Sequence, residues 1–137
     1  KLGADEWRIM QTHTEIGASI LSGSESELLQ MAEIIALSHH EKWDGGGYPR
    51  GLREEAIPMA GRITAVADVF DALCSRRSYK EPFPVEKALA SIRDAAGKHF
   101  DPAIVDVFFL IQPELMAIKD RFQDERTISG KTRLLPV

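Results

Sequence analysis

Apolar positions recur every three to four residues along most of this chain, and glycines and prolines interrupt the pattern at a few points. This periodicity is typical of amphipathic helices, because positions three and four apart share one helical face. It predicts helices over about residues 4–22, 24–40, 58–75 and 85–96, and a fifth that begins at Asp101 and is kinked or split by Pro113. We therefore expect an all-α fold, a helical bundle of about five helices.

The second predicted helix is apolar on almost every side, through the stretch LLQMAEIIALS. Ser24 and Glu27 have the spacing of an N-terminal capping box, which places the start of this helix at Ser24. A helix without a polar face has to be covered by others, so we expect it in the middle of the domain. The neighbouring helices are expected to bury Met10, His13, Gly17, Ile20 and Leu21 from the first, and Met59, Ile63, Val66, Ala67, Phe70 and Leu73 from the third.

Composition narrows the class of protein. The chain has 137 residues, 44% of them hydrophobic, which suits one domain over residues 1–122 followed by a charged tail over residues 123–137. The single cysteine, Cys74, cannot form an internal disulfide, and no apolar run reaches the roughly 20 residues that span a bilayer, so we expect a cytoplasmic protein without membrane insertion. The net charge of −4 gives no general attraction to nucleic-acid polymers, so an anionic substrate would need local cations or a metal.

The candidate chemistry is concentrated in the stretch LSHHEKWDGGGYPRG, residues 37–51. His39 and His40 end the apolar helix, and His13 lies on the apolar stripe of the first helix. Neighbouring side chains diverge by about 100° on a helix, so a helix end is the place where both imidazoles can approach one centre. The alternatives at this point are a hydrogen-bonded core histidine for His13 and an exposed helix terminus for the pair.

Asp68 lies among apolar residues of the third predicted helix, where an unpaired carboxylate is costly to bury. Asp71, one turn away, carries the same charge. Two explanations stay open. Either a structural ion pair with Arg62, Arg76 or Arg77 supplies the positive charge, or a transition metal does so, held by the carboxylate and neutral imidazoles.

The stretch SRRSYK, residues 75–80, places Arg76, Arg77 and Lys80 just after the end of the same helix. Cations in this position stabilise the negative end of the helix dipole. The same side chains are also suited to binding phosphate oxygens.

Taken together, HHEKWDGGGYP, with THTEIG before it and RITAVADVFDAL and SRRSYK after it, resembles the HD-GYP domains, a branch of the HD phosphohydrolases. The resemblance covers about residues 2–122, and GKHFDP also fits it. It implies a helical bundle with two or three divalent transition-metal ions, Fe, Mn or similar. Such a domain hydrolyses cyclic di-GMP, or a related cyclic dinucleotide, to a linear dinucleotide and GMP in bacterial signalling. The residues it implies are His13, His39, His40 and Asp68 as metal ligands, Arg77, Lys80 and Asp71 at the substrate, and Asp44, Gly45, Gly47, Tyr48 and Pro49 in a signature loop.

The family's His-Asp pair and the lysine after it would fall before Lys1. We therefore expect this chain to be the C-terminal portion of such a domain, with no identifiable catalytic residue beyond the metal ligands and with impaired activity. The resemblance also implies a fused upstream sensor or receiver domain and protein partners at the signature loop. The alternatives are a degenerate interaction module without catalysis and an unrelated helical bundle with incidental histidines.

Overall fold

A computed structural model describes residues 3–75, 83–119 and 121. The regular elements in these ranges are the helices α1 (Ala4–Gln11), α2 (His13–Leu21), α3 (Glu27–Ser38), α4 (Met59–Cys74), α5 (Val85–Asp94) and α6 (Pro102–Leu110), with a 3-10 turn at Glu54–Ala56. The predicted all-α fold is confirmed. None of the described helices has the length and apolar character needed to cross a membrane.

The described residues fall into two compact units, one up to residue 105 and one from residue 106 onward. The second unit contains the end of α6, a turn at residue 111 and a further helical stretch over residues 112–119. This break agrees with the interruption predicted at Pro113. Within this unit, the rings of Phe108 and Phe109 meet edge to face, with centroids 5.4 Å apart. The predicted charged tail, 123–137, lies outside the described residues.

The first predicted helix is in fact two helices that are separated at Thr12, so the prediction of one continuous helix is wrong. The Thr12 hydroxyl donates a hydrogen bond to the Ile9 carbonyl over 2.7 Å, and Nδ1 of His13 contacts the Met10 carbonyl at 2.6 Å. These side chains compete for carbonyls that a continuous helix would pair with backbone N–H groups. The interruption therefore sits beside His13, which becomes the first residue of α2.

The capping box predicted at Ser24 and Glu27 is not formed, because α3 begins only at Glu27, with Ser26 as its N-cap. Ser24 instead accepts a hydrogen bond from the Ser26 backbone N–H over 3.2 Å. Both α2 and α4 pack on α3, but the expected cover of its apolar sides is incomplete among the described residues, since its one buried residue is Ser38. The apolar side chains of α3 that remain exposed are Leu28, Leu29, Met31 and Ile34.

The predicted burial of α2 and α4 is correct only in part. Thr14 and Ala18 are the buried positions of α2, while Ile20 and His13 are exposed. In α4, Val66 and Phe70 are buried as predicted. Met59, Ile63 and Ala67, which were predicted to be buried, are exposed.

The helices of the first unit pack in chain order, α2 on α3, α3 on α4 and α4 on α5. Small residues set the two closest approaches. A Cβ at Gly17 would lie at an ordinary 3.6 Å from the Ala36 Cβ, whereas a Cβ at Gly61 would lie 2.7 Å from the Ser38 Cβ and 3.1 Å from the Ser38 carbonyl oxygen. Gly61 therefore lets α4 rest directly on the last turn of α3, the turn that precedes His39.

A buried ion pair fixes the start of α6 against α4. Nη1 of Arg62 donates to Oδ2 of Asp101 over 2.6 Å, and both side chains are largely removed from solvent. The other oxygen of Asp101 accepts the backbone N–H of Ala103 over 2.9 Å, which confirms the predicted N-cap. The Arg62 guanidinium also lies 5.9 Å from the centre of the ring of Trp43, the residue just before the predicted signature loop.

The tight contact at Gly61 gives a stability prediction. Replacing Gly61 with Ala should lower the free energy of unfolding by about 1–3 kcal/mol, because the new methyl group overlaps Ser38 and forces α3 and α4 apart. Urea unfolding followed by circular dichroism measures the change.

The matched control is Gly17→Ala, in which the methyl group meets Ala36 at normal van der Waals distance. It should leave the protein as stable or up to about 1 kcal/mol more stable, because alanine favours a helix over glycine. Equal effects at the two positions would contradict the close approach at Gly61.

Candidate metal centre

Three histidine side chains converge where α2 begins and α3 ends. The atoms of His13, His39 and His40 that could bind a metal all lie within 4.8 Å of one another. Nε2 of His13 and Nε2 of His39 are 3.4 Å apart, and the rings of His39 and His40 have centroids 4.1 Å apart. The structure thus brings together three of the four predicted ligands.

Helix-end carbonyls orient two of these rings. Nδ1 of His13 is 2.6 Å from the Met10 carbonyl oxygen, and Nδ1 of His39 is 2.9 Å from that of Ile35. A carbonyl oxygen only accepts hydrogen bonds, so Nδ1 must carry the proton in both cases. In the neutral imidazole this leaves a lone pair on Nε2, which points into the cluster. Nδ1 of His39 also lies 3.1 Å from the Ala36 carbonyl, and the Ile35 carbonyl accepts the His39 backbone N–H over 3.0 Å as well.

His40 is held differently. Burial first, and then the neighbouring His39 and His13, lower the pKa of His40 from 6.5 to about 4. This ring is therefore neutral near pH 7 and can offer a lone pair. Within the described ranges no hydrogen bond reaches its ring nitrogens. Instead the Tyr48 ring stacks on it at a centroid distance of 4.8 Å, and the Tyr48 backbone N–H donates to the His40 carbonyl over 3.2 Å.

Asp68 does not belong to this group of atoms, and its predicted apolar surroundings are wrong, since the residue is exposed. It shares a helical face with Gly61 and Ala65, at spacings of seven and three residues. Its negative charge still acts on the centre, because it opposes the lowering of the His40 pKa and contributes, after burial, to a raised Tyr48 pKa. Asp68 is therefore close enough to His40 and Tyr48 for its charge to act on both side chains.

The other predicted substrate contacts are only partly described. Asp71 is exposed, and its Oδ1 accepts a hydrogen bond from the Ser75 hydroxyl over 2.9 Å at the end of α4. Arg77 and Lys80 lie outside the described residues, as does Arg76. Arg62, one of the cations considered as a partner for Asp68, is paired with Asp101 instead.

The predicted signature loop folds back against the residues that precede it, Glu41 and Lys42. Asp44 accepts the Gly46 backbone N–H over 2.8 Å, and Gly45 has a φ of 83°, a conformation that favours glycine. A Cβ at Gly47 would overlap the backbone of Glu41 and Lys42. Tyr48 follows directly, joined to Pro49 by a cis peptide bond. The glycines thus let the loop fold tightly enough to bring Tyr48 over His40.

Glu41 is a buried carboxylate that the sequence analysis did not single out. It is 1% exposed, and its two oxygens accept the backbone N–H groups of Arg50, over 2.7 Å, and Leu52, over 2.9 Å. It follows His40 directly, so one residue ties the far end of the loop to the end of α3. Its position beside the histidine pair was the only signal in the sequence.

A second contact joins this loop to the turn before α6. The backbone N–H groups of Trp43 and Asp44 donate to the carbonyls of His99 and Lys98, over 3.1 and 2.8 Å. The His99 ring stacks on Phe100 with centroids 4.3 Å apart. Burial first, and then the Lys42 charge, lower the pKa of His99 below 6.5, while Asp44 opposes the shift. The sequence did not predict a role for His99.

The HD domain family model matches residues 1–104. A cyclic di-GMP phosphodiesterase of Thermotoga maritima is 49% identical over 126 residues, which are 92% of this chain and 34% of that protein. A 3′3′-cGAMP-specific phosphodiesterase of Vibrio cholerae is 48% identical over 124 residues, 90% of this chain and 24% of that protein.

Among solved structures, a cyclic GMP-AMP specific phosphodiesterase of V. cholerae is similar with a TM-score of 0.61 and 30% identity. The match covers 99% of this chain and 31% of that one. The chain thus spans about a third or less of the length of the proteins that it matches.

Because the Glu41 carboxylate holds the loop through two backbone N–H groups, replacing it with an amide should weaken this attachment. In Glu41→Gln, one carboxylate oxygen becomes an NH₂ group that cannot accept the loop N–H, so the free energy of unfolding should fall by about 1–3 kcal/mol. Trypsin should also cleave faster at Arg50 and Arg53 in the loosened loop. Urea unfolding and timed proteolysis measure the two effects.

Glu55→Gln is the control, because Glu55 is exposed in the adjacent 3-10 turn. Its effect should stay within about 0.5 kcal/mol. Equal cleavage rates for both variants and the native chain would contradict the anchor.

The lowered pKa of His99 predicts a pH effect on the metal-free protein. Protons bind more readily to His99 in the unfolded chain, whose pKa is near 6.5, so its contribution to stability is complete above 6.5 and is lost as pH falls through the lower folded pKa. His99→Gln should therefore have a flatter stability profile below pH 6.5. Urea unfolding at several pH values in chelator measures this, with Lys98→Gln as control; parallel profiles for His99→Gln and the native chain would refute it.

Proposed function

Since the chain belongs to the HD domain family, in its HD-GYP branch, we propose that it forms the metal-binding part of a phosphodiesterase that hydrolyses cyclic dinucleotides. The observation that carries the proposal is the convergence of three imidazoles within 4.8 Å. Relatives at nearly half identity are named for hydrolysis of cyclic di-GMP and of 3′3′-cGAMP, so the proposed substrate is cyclic di-GMP or a related cyclic dinucleotide.

The residues described here fit a divalent transition metal. Imidazole nitrogens together with a carboxylate oxygen suit Fe, Mn, Zn or Co, and the carbonyls behind His13 and His39 fix the tautomer that leaves Nε2 free. The proposed ligands are His13, His39 and His40, with Asp68 as the carboxylate from α4. The proposal includes two or three metal ions in the complete domain of the parent protein, and Fe and Mn are among the candidates.

Bound metal would lower the pKa of a coordinated water and offset phosphate charge. The chain's own residues prepare the site for this. Neutral His40, kept so by its lowered pKa, avoids repelling a cation, and Tyr48 covers one face of its ring against solvent. Arg77 and Lys80 are proposed to hold the non-bridging phosphate oxygens, because guanidinium and ammonium groups match them. Asp71 is proposed to lie at the same substrate.

The proposal extends to regulation and location. A cyclic di-GMP phosphodiesterase of Xanthomonas campestris, 48% identical over 122 residues, is a response regulator, and the match covers 32% of it. A fused sensor or receiver domain in the parent of this chain, and partner contacts at the loop 44–49, are proposed on this basis. A cytoplasmic location is part of the same proposal, because the chain has one cysteine in 137 residues and low cysteine content is typical of proteins from reducing compartments. The sequence encoded on either side of this stretch tests the fused domain.

Removal of one proposed ligand tests the metal site directly. His39→Gln should lower the affinity for Mn²⁺ by more than the roughly 10- to 100-fold that follows loss of an outer-shell partner. In the parent protein it should abolish most hydrolysis of cyclic di-GMP. Metal content by mass spectrometry and product analysis by chromatography measure the two effects.

His99→Gln is the matched control, because its ring lies outside the cluster. It should keep native metal content. A parent protein that holds metal on the native histidines but hydrolyses no cyclic dinucleotide would overturn the enzyme proposal and favour an interaction module.

A further inference from the structure

Trp7 is an exposed aromatic side chain close to the histidine cluster. It lies in α1, a helix without buried residues, and it keeps 47% of its surface accessible. Its ring meets Tyr48 edge-on, with centroids 6.4 Å apart and planes at 75°. Tyr48 in turn stacks on His40 and lies 6.4 Å, between ring centroids, from His13. Trp7 is thus the next ring outward from the cluster.

We propose that Trp7 is a stacking surface for one purine base of the cyclic dinucleotide, while the adjoining phosphate reaches the histidines. This inference rests on the proposed function, since it needs a nucleotide phosphate at the cluster. The residues that it uses come from α1, α2, the end of α3 and the signature loop.

The covalent layout of a nucleotide supports this placement. A base is separated from its phosphate by one ribose, so a base-binding surface belongs near the phosphate site but outside it. Tyr48 lies nearer to the cluster, but one face of its ring is occupied by His40. Trp7 is one ring further out and more exposed than the half-buried Tyr48, which makes it the better surface for a base.

The chemistry of the side chain supports it as well. The chain is acidic overall, with a net charge of −4, so a neutral π surface near the site binds the base without adding charge repulsion. Aromatic side chains stack on bases of any sequence, because every base has a π face. The exposed aliphatic residues of α1 and α3, such as Ile9 and Leu28, offer no such surface.

Fluorescence tests the inference without relying on catalysis. The chain has two tryptophans, Trp7 and Trp43, so the Trp43→Phe variant reports on Trp7 alone. Titration of the Mn²⁺-loaded variant with cyclic di-GMP, and with GMP, should quench its emission to saturation. Inorganic phosphate should not quench it. In the Trp7→Phe variant, where only Trp43 emits, the same nucleotides should cause little change.

Kinetics of the parent protein provide the second measurement. Trp7→Ala should raise KM for cyclic di-GMP roughly 5- to 100-fold, with a smaller change in kcat, as expected from loss of one base-stacking contact. Trp7→Phe should restore part of the loss. Native circular dichroism and metal content in both variants would exclude a folding defect.

The outcomes separate the inference from the proposed function. Hydrolysis with native KM in Trp7→Ala, together with no quenching in Trp43→Phe, would overturn the stacking surface and leave the phosphodiesterase intact. Saturable quenching in a parent that hydrolyses nothing would support base binding while the enzyme proposal fails. Quenching by inorganic phosphate as strong as by GMP would refute stacking, because phosphate has no base.

Discussion

The carbonyl oxygens near the ends of α1 and α3 are the constraint on which the histidine cluster depends. The Met10 carbonyl faces Nδ1 of His13, and the carbonyls of Ile35 and Ala36 face Nδ1 of His39. The Ile35 carbonyl also accepts the His39 backbone N–H, so the ring and the backbone share it. These contacts turn Nε2 of both rings towards the shared centre. The interruption at Thr12 is part of the same arrangement, because a continuous helix would leave the Met10 carbonyl to the backbone.

Around this constraint the rest of the first unit acts as support. Gly61 lets α4 lie against the last turn of α3, so the helix that carries Asp68 approaches the histidines from a third direction. Glu41 fastens the loop, and the loop places Tyr48 on the one imidazole that lacks a carbonyl partner in the described chain. Hydrogen bonding orients two rings and stacking orients the third.

Most of what the sequence predicted correctly depends on local chemistry, although the break at Thr12 and the N-cap at Ser26 are local features that it missed. Helices α4 and α5 and the Asp101 cap follow from periodicity, proline and capping residues near in sequence. The exposure of α3 does not, because an apolar pattern shows that a helix favours cover but not whether these residues supply it. The partner of Arg62 was missed for the same reason, as it lies 39 residues away.

The site was predicted to a similar extent. The three histidines were found from their motif and helix-end position, and they do converge. The role of Glu41 could not be found, since nothing in a single sequence distinguishes an acid that accepts two backbone N–H groups nine and eleven residues ahead from an acid at the surface such as Asp44. The surroundings of Asp68 were misjudged because its apolar neighbours on the chain point to other sides of α4.

The backbone link from Trp43 and Asp44 to Lys98 and His99 affects the order in which the protein is completed during translation. His13, His39 and His40 precede His99 in the chain by 59 residues or more, so the helices that carry them can meet while the ribosome is still extending the chain. The glycine-rich segment beside them cannot reach its final bonding until residue 99 has left the exit tunnel. A nascent chain therefore presents its imidazoles before it can secure the cover over them.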